Sequence, residues 1–582
     1  MESKTPKFDK AIDKILGDLV PHTRECKWLG LNPYCENKFK IEEGDIEFLK
    51  LFRVPAPNYC PTCRMIRKIS NFNASRLFVN QCKASKHNES IISIFPKECP
   101  FSVYDCNYFT SDDFDPFSFG VPYRDNNSPM SQLFSLRKKF PMPSFLNRDP
   151  TSINSDYSNG GKDLKNGYYV WGCYHAENVW YSVNVNKCMN VMDVRVVTDS
   201  EFVYESIFSH HIYKSSFLYF SSNCIESMFL FDCKNCQDCF GCVNLRNTRY
   251  CVYNKKLSKE EYKEFMDSVY PLTREKISLY REKFWQLVKK LPMNGPRNIA
   301  SENVSGVNIK NSKNLFDVID SNHSENVRHS NSVIHHSNSM DVMFSGGNSS
   351  FLYMDVNIGS QSSWVKFSIS SKTCSNCEFI FNSKNCSNCF MCFGLQNKSY
   401  CILNRQYDQE EYFRLVDEIK LEMLNSGEYA DGVGIEFSAQ AYNFSSAQDV
   451  YPLDEETILK LGGYVAEEPE SNVGNIETVR YEDLPKTIGE VSNDVLTKAI
   501  ICKKSGRPFK IIESELEFYR RMKIPLPDIH PSLRIKQRHI LAPDGKKYKS
   551  FCKKCLINIE TVFDTDGGFN FYCENCFSKE VL

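Results

Sequence analysis

Near the end of the chain two Cys-x2-Cys pairs, Cys552/Cys555 and Cys573/Cys576, stand seventeen residues apart. Thiolates at this spacing deliver four ligands to one tetrahedral ion, the coordination that structural Zn2+ takes. All four positions are filled by protein, so the expected site is closed and holds no catalytic water. A third pair, Cys60-Pro-Thr-Cys63, has no second pair beside it. Cys35 and Cys26 are the nearest candidates, which gives a second expected set, Cys26, Cys35, Cys60 and Cys63. Cys82, Cys99 and Cys106, with His87 nearby, are candidates for a further site, with ordinary buried thiols as the alternative. Cys233, Cys236, Cys239 and Cys242 recur every three residues. Reduced cysteines at successive turns behave as small apolar side chains, and that reading is preferred here to a metal cluster.

The elements that must position these cysteines are duplicated. Phe39-Lys-Ile41, Asp45-Ile-Glu-Phe48 and Val54-Pro-Ala-Pro57 return 470 positions later as Phe509-Lys-Ile511, Glu515-Leu-Glu-Phe518 and Ile524-Pro-Leu-Pro527. The register carries Cys82 onto Cys552, while Cys60 and Cys63 meet His530 and Leu533. A module that needed metal twice, and lost a different site in each copy, accounts for the pattern. Between the copies lies a second duplication, offset by 150 residues. Cys236-x2-Cys239-Phe240-x-Cys242 with Tyr250-Cys251 recurs as Cys386-x2-Cys389-Phe390-x-Cys392 with Tyr400-Cys401.

Short apolar triplets such as Val179-Trp-Tyr181, Phe202-Val-Tyr204 and Phe217-Leu-Tyr219 recur roughly every eleven residues, separated by Asn, Ser, Cys and Gly. Short strands with polar turns at fixed spacing predict stacked coils, a β-solenoid. Ser258-Lys-Glu-Glu261 has capping-box spacing, and Asp408-Gln-Glu-Glu411 occupies the equivalent place after the second array. The expected fold is therefore mainly β: two tandem β-solenoids with helical caps, flanked by duplicated zinc-ribbon-like α+β modules. The expected boundaries are an N-terminal module at 1–110, a connector at 111–164, solenoids at 165–257 and 298–407, and helical caps at 258–297 and 408–425. An acidic linker at 426–498, including the run Glu467-Glu-Pro-Glu470, and a basic C-terminal module at 499–582 complete the plan.

At 582 residues the chain should form several cores. Its 26 cysteines, clustered at two-residue separations without an apolar N-terminal leader, suggest metal ligands and buried thiols in a cytoplasmic protein. No apolar run is long enough to span a bilayer, so no membrane partner is expected. The net charge of −1 conceals an asymmetry. From Cys502 to Cys555 there are fifteen Lys and Arg against five acids, and Asn58 to His87 carries six basic residues and no acid. Clustered charge of one sign suggests a polyanionic partner.

Cys60-Pro-Thr-Cys63-Arg64, Cys239-Phe-Gly-Cys-Val-Asn-Leu-Arg-Asn247 with Tyr250-Cys251, and Arg507-Pro-Phe-Lys-Ile-Ile512 through Pro525-Leu-Pro527 span nearly the whole chain. As a set they resemble a family of uncharacterised Cys-rich, zinc-ribbon-flanked repeat proteins of candidate-phyla bacteria. In that family the solenoid bears more cysteine, where this chain holds Ser, Asn or His. The resemblance implies zinc binding and brings no assigned activity.

The expected function is that of a non-enzymatic Zn2+ scaffold with no catalytic residues. Its basic ends are expected to contact nucleic acid, RNA or a ribonucleoprotein by preference, through Arg534, Lys536, Arg538, Lys546, Lys547 and Lys549, and through Arg64, Arg67 and Lys68. The alternative is a protein-interaction scaffold docking on an acidic partner. A third reading is a β-helix enzyme acting on acidic polysaccharide, with Asp193, Arg195, Asp317, Asp320, His210-His211, His323, His329, His335 and His336 as groove candidates.

Overall fold

The computed structural model describes residues 3–73, 76–146, 151–468, 474, 476–541 and 545–581. Pro469 and Glu470 of the acidic run lie outside them. The chain is mainly β and divides into two units. One comprises Met1–Leu146, Arg297–Glu467 and Pro543–Lys547; the other comprises Asn147–Pro296, Glu468–Ala542 and Tyr548–Leu582. Each unit therefore joins one strand array to one terminal module.

In the unit that holds the first array, strands from Tyr157–Trp180 to Arg246–Val252 pair in parallel at a constant offset of twelve residues. Val179 meets Val191, Val191 meets Val203, and Lys234 meets Arg246. Every third residue turns left-handed: Asn178, Tyr181, Asn184, Lys187, Asn190 and Asp193 have φ between 50° and 57°. That region costs a non-glycine residue roughly 1–2 kcal/mol, least for Asn and Asp, which explains the Asn-rich composition. The residue after each turn points inward, so Val179, Ser182, Val185, Cys188, Val191 and Val194 are all buried. Four triplets make one twelve-residue repeat. Cys233, Cys236, Cys239 and Cys242 are four successive inward residues, packed among Val and Leu side chains.

An inward serine carries its own solution to burial. The Ser182 hydroxyl donates to Trp180 O at 2.7 Å and accepts the Val194 N–H, twelve residues on, at 3.2 Å. Both capacities of the hydroxyl are used inside the array.

The repeat length departs from the expected eleven. The triplets that suggested it mix two inward columns, Val179 and Val203 in one and Leu218 in another, so their spacing does not measure the repeat; each column taken alone does. The second array holds twelve over Leu315, Val327 and Ser339. It enters at eleven, Glu302 against Lys313, and widens to thirteen, Leu352 against Val365. The first step changes at Gly306, where φ is +127° and a Cβ would sit 2.0 Å from Val318 O.

Both arrays end in a short antiparallel return, Val252 with Lys255 and Ile402 with Arg405. The helix Lys259–Val269 then opens on the Ser258/Glu261 capping box, followed by the helix Arg274–Lys290. In the other unit the helix Gln409–Asn425 opens on Asp408, whose side chain accepts the Glu411 N–H.

Two expected segments are corrected. Tyr429, Phe437, Tyr442, Tyr451 and Ile458 belong to the largest apolar cluster, so 426–468 is core where an acidic linker was expected. Leu133, Leu136 and Phe140 of the supposed connector join the same core, and the first array already begins at Tyr157.

The two terminal modules repeat each other element by element. Helices Glu43–Phe52 and Pro61–Ile69, the hairpin Phe78–Gln81/Ser90–Ser93 and the helix Cys106–Thr110 are the first copy. Helices Glu513–Met522 and Pro531–Ile540, the hairpin Tyr548–Phe551/Asn558–Thr561 and the helix Glu574–Val581 are the second. Even the left-handed helix ends correspond, Arg53 with Lys523.

Candidate metal centres and the cations beside them

Cys552 and Cys555 sit on the turn between the strands Tyr548–Phe551 and Asn558–Thr561, and Cys573 and Cys576 at the start of the helix Glu574–Val581. Their four sulfurs lie within 4.8 Å of one another, and Cys555 Sγ to Cys573 Sγ is 3.7 Å. A disulfide needs about 2.05 Å. Four thiolates at about 2.3 Å from one tetrahedral ion stand about 3.8 Å apart, so the cluster has the dimensions of a metal site. Burial works against ionising Cys552, yet N–H groups of Cys573, Cys555 and Lys554 bring its thiol down to about 6.

Cys26, Cys35, Cys60 and Cys63 form a second cluster of the same size. Cys60 is the N-cap of the helix Pro61–Ile69 and Cys63 lies in its first turn, where the helix end favours negative sulfur. Cys26 Sγ accepts the Cys60 N–H at 3.3 Å and Cys60 Sγ accepts the Cys63 N–H at 3.4 Å. Asn32 Nδ2 donates to Cys63 Sγ at 3.5 Å. Bonds from Cys60 and Cys63 hold the Cys26 thiol down, and the same contacts with Cys26 push the Cys60 and Cys63 thiols up. Both clusters fit a thiolate-bound metal ion. Of the further candidates, Cys106 turns its thiol to Phe145 O, and Cys99 is half-buried with its thiol pushed up by desolvation. Neither joins Cys82.

The cations expected to face a polyanion are mostly inside. Arg64 Nε lies 2.9 Å from Asp341 Oδ2, and Lys68 Nζ donates to Asp341 O at 2.8 Å. In the other unit Arg534 Nη1 pairs with Asp193 Oδ2, and Arg538 Nη1 with Asp193 Oδ1 at 2.8 Å. These four side chains are 4–9 % exposed and the two aspartates 1 %. Arg67 is buried over the Tyr59 ring at 3.9 Å and donates to Asp431 O at 3.2 Å. Lys547 pairs with Asp317, while Lys536 and Lys549 are exposed and Lys546 half-buried. An uncompensated buried carboxylate costs several kcal/mol, so each module fastens to its array by meeting that charge. These residues are fasteners, which corrects the expectation that Arg64, Arg67, Lys68, Arg534 and Arg538 face a phosphate backbone.

The two interfaces correspond residue for residue. Asp45 accepts from Arg328 Nε at 2.8 Å and lies 3.0 Å from His329 Nε2. Its counterpart Glu515 accepts the Tyr181 O–H at 3.0 Å. His329 and Tyr181 each stand twelve residues before the aspartate of their interface, Asp341 and Asp193. The groove candidates are thus largely committed: Asp193 and Asp317 to cations, His329 to Asp45 and Asp317, and Arg195 Nη1 to His539 at 3.0 Å. His323 and His335 stack at 5.0 Å. His336 points into the array, and burial lowers its imidazole to about 4. These pairs were not read from the sequence; the i, i+4 spacing of Arg64/Lys68 and Arg534/Arg538 on amphipathic helices was the available signal.

No protein-family model and no curated protein matches the chain. Among solved structures, UDP-N-acetylglucosamine acyltransferase from Campylobacter jejuni aligns with 55% of this chain and 99% of its own, at 9% identity and a TM-score of 0.06, a similarity that carries no argument.

Proposed function

We propose that this chain is a zinc-clamped β-solenoid scaffold that works by binding, and that the C-terminal knuckle is its contact surface for a protein. The observation that carries the reading is the apolar tip beside the cysteine cluster. Phe551, Leu556 and Ile557 are 45 %, 71 % and 53 % exposed on the hairpin that bears Cys552 and Cys555. Exposed apolar side chains on a rigid support mark an interaction site. Exposed Lys549 and Lys553 beside them suit an acidic partner. Zn2+ is the ion best matched to two all-thiolate clusters.

Nucleic acid, RNA by preference, is the second reading. It is favoured by Phe551, a ring open to stacking, on the same strand as exposed Lys549, but it has lost the five buried cations. The test is capture from native lysate by the full chain and by a Phe551→Ser, Leu556→Ser, Ile557→Ser variant, with and without RNase. A protein retained despite RNase, and lost in the variant with zinc content intact, supports the scaffold reading. Equal retention by the variant refutes it. Retention abolished by RNase, with steep salt dependence, replaces it with the RNA reading.

A further inference from the structure

In the first terminal module Cys82 is what remains of the cluster that the second module builds from Cys552, Cys555, Cys573 and Cys576. Its backbone surroundings are unchanged. Lys83 N–H donates to Val103 O at 3.0 Å, as Lys553 N–H donates to Phe571 O at 2.9 Å. Asp105 N–H donates to Cys82 Sγ at 3.2 Å, in the place where the Cys573 N–H meets Cys552. The fold of the metal knuckle has persisted although three of its cysteines are Ser85, Asp105 and Tyr108.

What has changed is the loop. Cys82 N–H bonds Glu89 O, whereas Cys552 N–H bonds Ile557 O, so the first loop is two residues longer. Left-handed Lys86 (φ 67°) and Leu556 (φ 63°) keep the first five positions in register, which makes His87 and Asn88 the extra pair. The insertion thus supplies an imidazole just beyond the point where a thiol was lost, and Glu89 follows. One ligand atom from each of Cys82, His87 and Glu89 lies within 4.8 Å of the other two. His87 Nδ1 is 3.0 Å from Glu89 Oε1, and the His87 ring rests on Tyr108 at 4.4 Å between centroids. Cys82 is buried while His87 and Glu89 reach solvent.

We propose that Cys82, His87 and Glu89 form a third metal site, for Zn2+ or a similar divalent transition ion, with its fourth coordination position open to water or a small anion. One thiolate, one imidazole and one carboxylate suit a borderline ion, and three protein ligands with an accessible fourth position distinguish an open site from a closed structural one. Tyr108 stands where Cys576 would have closed it. The site is independent of the binding role proposed above.

The test uses the full chain, loaded with zinc and separately with cobalt(II), against His87→Ala, Cys82→Ser and the milder Glu89→Gln. Expected are about three zinc per chain in the wild type and about two in the His87 and Cys82 variants, since both four-cysteine clusters are untouched. The third cobalt should give visible bands that shift with azide, and those bands should be absent in His87→Ala. Two metals in wild type and variant alike, or three in both, overturns the site. A third cobalt indifferent to azide overturns its open position. Should Cys82→Ser fail to fold, His87→Ala and Glu89→Gln, which leave the buried thiol in place, decide the matter.

Discussion

Raising the pH should loosen the N-terminal module from its array by discharging His329. The ring is held between Asp317, 2.6 Å from Nδ1, and Asp45, 3.0 Å from Nε2. Burial opposes the charge, but the two carboxylates raise the imidazole to about 9 from its usual 6.5. The folded state thus holds a proton that the unfolded chain releases. The stabilisation is fully present below pH 6.5 and is lost as pH rises through 9. A gap of about 2.5 between the two values corresponds to about 3 kcal/mol. In the other unit Tyr181 replaces the histidine, and burial lifts Glu515 to about 7 from 4.5 against the pull of Arg534. Its stabilisation is present below 4.5 and lost as pH rises through 7, a lower window. Hydrogen exchange, corrected for the intrinsic rate, should show the helix Glu43–Phe52 losing protection between pH 6.5 and 9.5 while the helix Glu513–Met522 changes below pH 7. His329→Phe should flatten the first response and leave the second. Unchanged protection of Glu43–Phe52 across that range, or the same slope in His329→Phe, refutes the reasoning.

Removing metal by Cys573→Ser should unfold the C-terminal hairpin and final helix while the arrays persist, because binding and folding are coupled in so small a module; limited proteolysis would show cleavage confined to residues after 547. Replacing Arg534, Lys536 and Arg538 together with Ser should destabilise the unit by about 3–5 kcal/mol by stranding Asp193, which urea unfolding followed by tryptophan fluorescence would detect. A variant of unchanged stability contradicts the fastening role.

Much of this was legible where chemistry fixes spacing. The Cys-x2-Cys pairs announce four-sulfur clusters because two residues are the length of the knuckle turn. The 470-residue repeat survives in sequence because Phe39, Ile41, Phe48 and Val54 and their counterparts pack at equivalent places in the interior of each module. The cysteines at 233, 236, 239 and 242 already carried the three-residue period of the array, which the eleven-residue spacing of aromatic triplets obscured. The buried cations were not legible because a charge count records sign and not destination. Asp193 and Asp341 read as turn residues, and they are turn residues, with φ of 57° and 59°. What the sequence does not reveal is that these turns lie under a helix 341 and 277 residues away in the chain.

The two modules have divided the work of clamping differently, and this predicts an asymmetry. In the first copy the helix Pro61–Ile69 is anchored twice, by Cys60 and Cys63 at its start and by Arg64 and Lys68 on Asp341. In the second, His530 and Leu533 occupy the cysteine positions. The old thiol Cys502 still accepts the His530 N–H at 3.2 Å, as Cys26 accepts that of Cys60, but the helix Pro531–Ile540 carries no cysteine. The charged part of its hold on the array is the pair Arg534 and Arg538 on Asp193, with His539 meeting Arg195 beside them. Asp193→Asn should therefore cost the full 3–5 kcal/mol expected for breaking a buried ion cluster, and Asp341→Asn less while zinc remains on Cys60 and Cys63. Stripping zinc should erase the difference by bringing the Asp341 variant down to the level of the Asp193 variant. Denaturant unfolding of both variants with and without chelator measures this, and an Asp341→Asn penalty equal to that of Asp193→Asn in zinc-loaded protein would show that the cysteine cluster does not share the load.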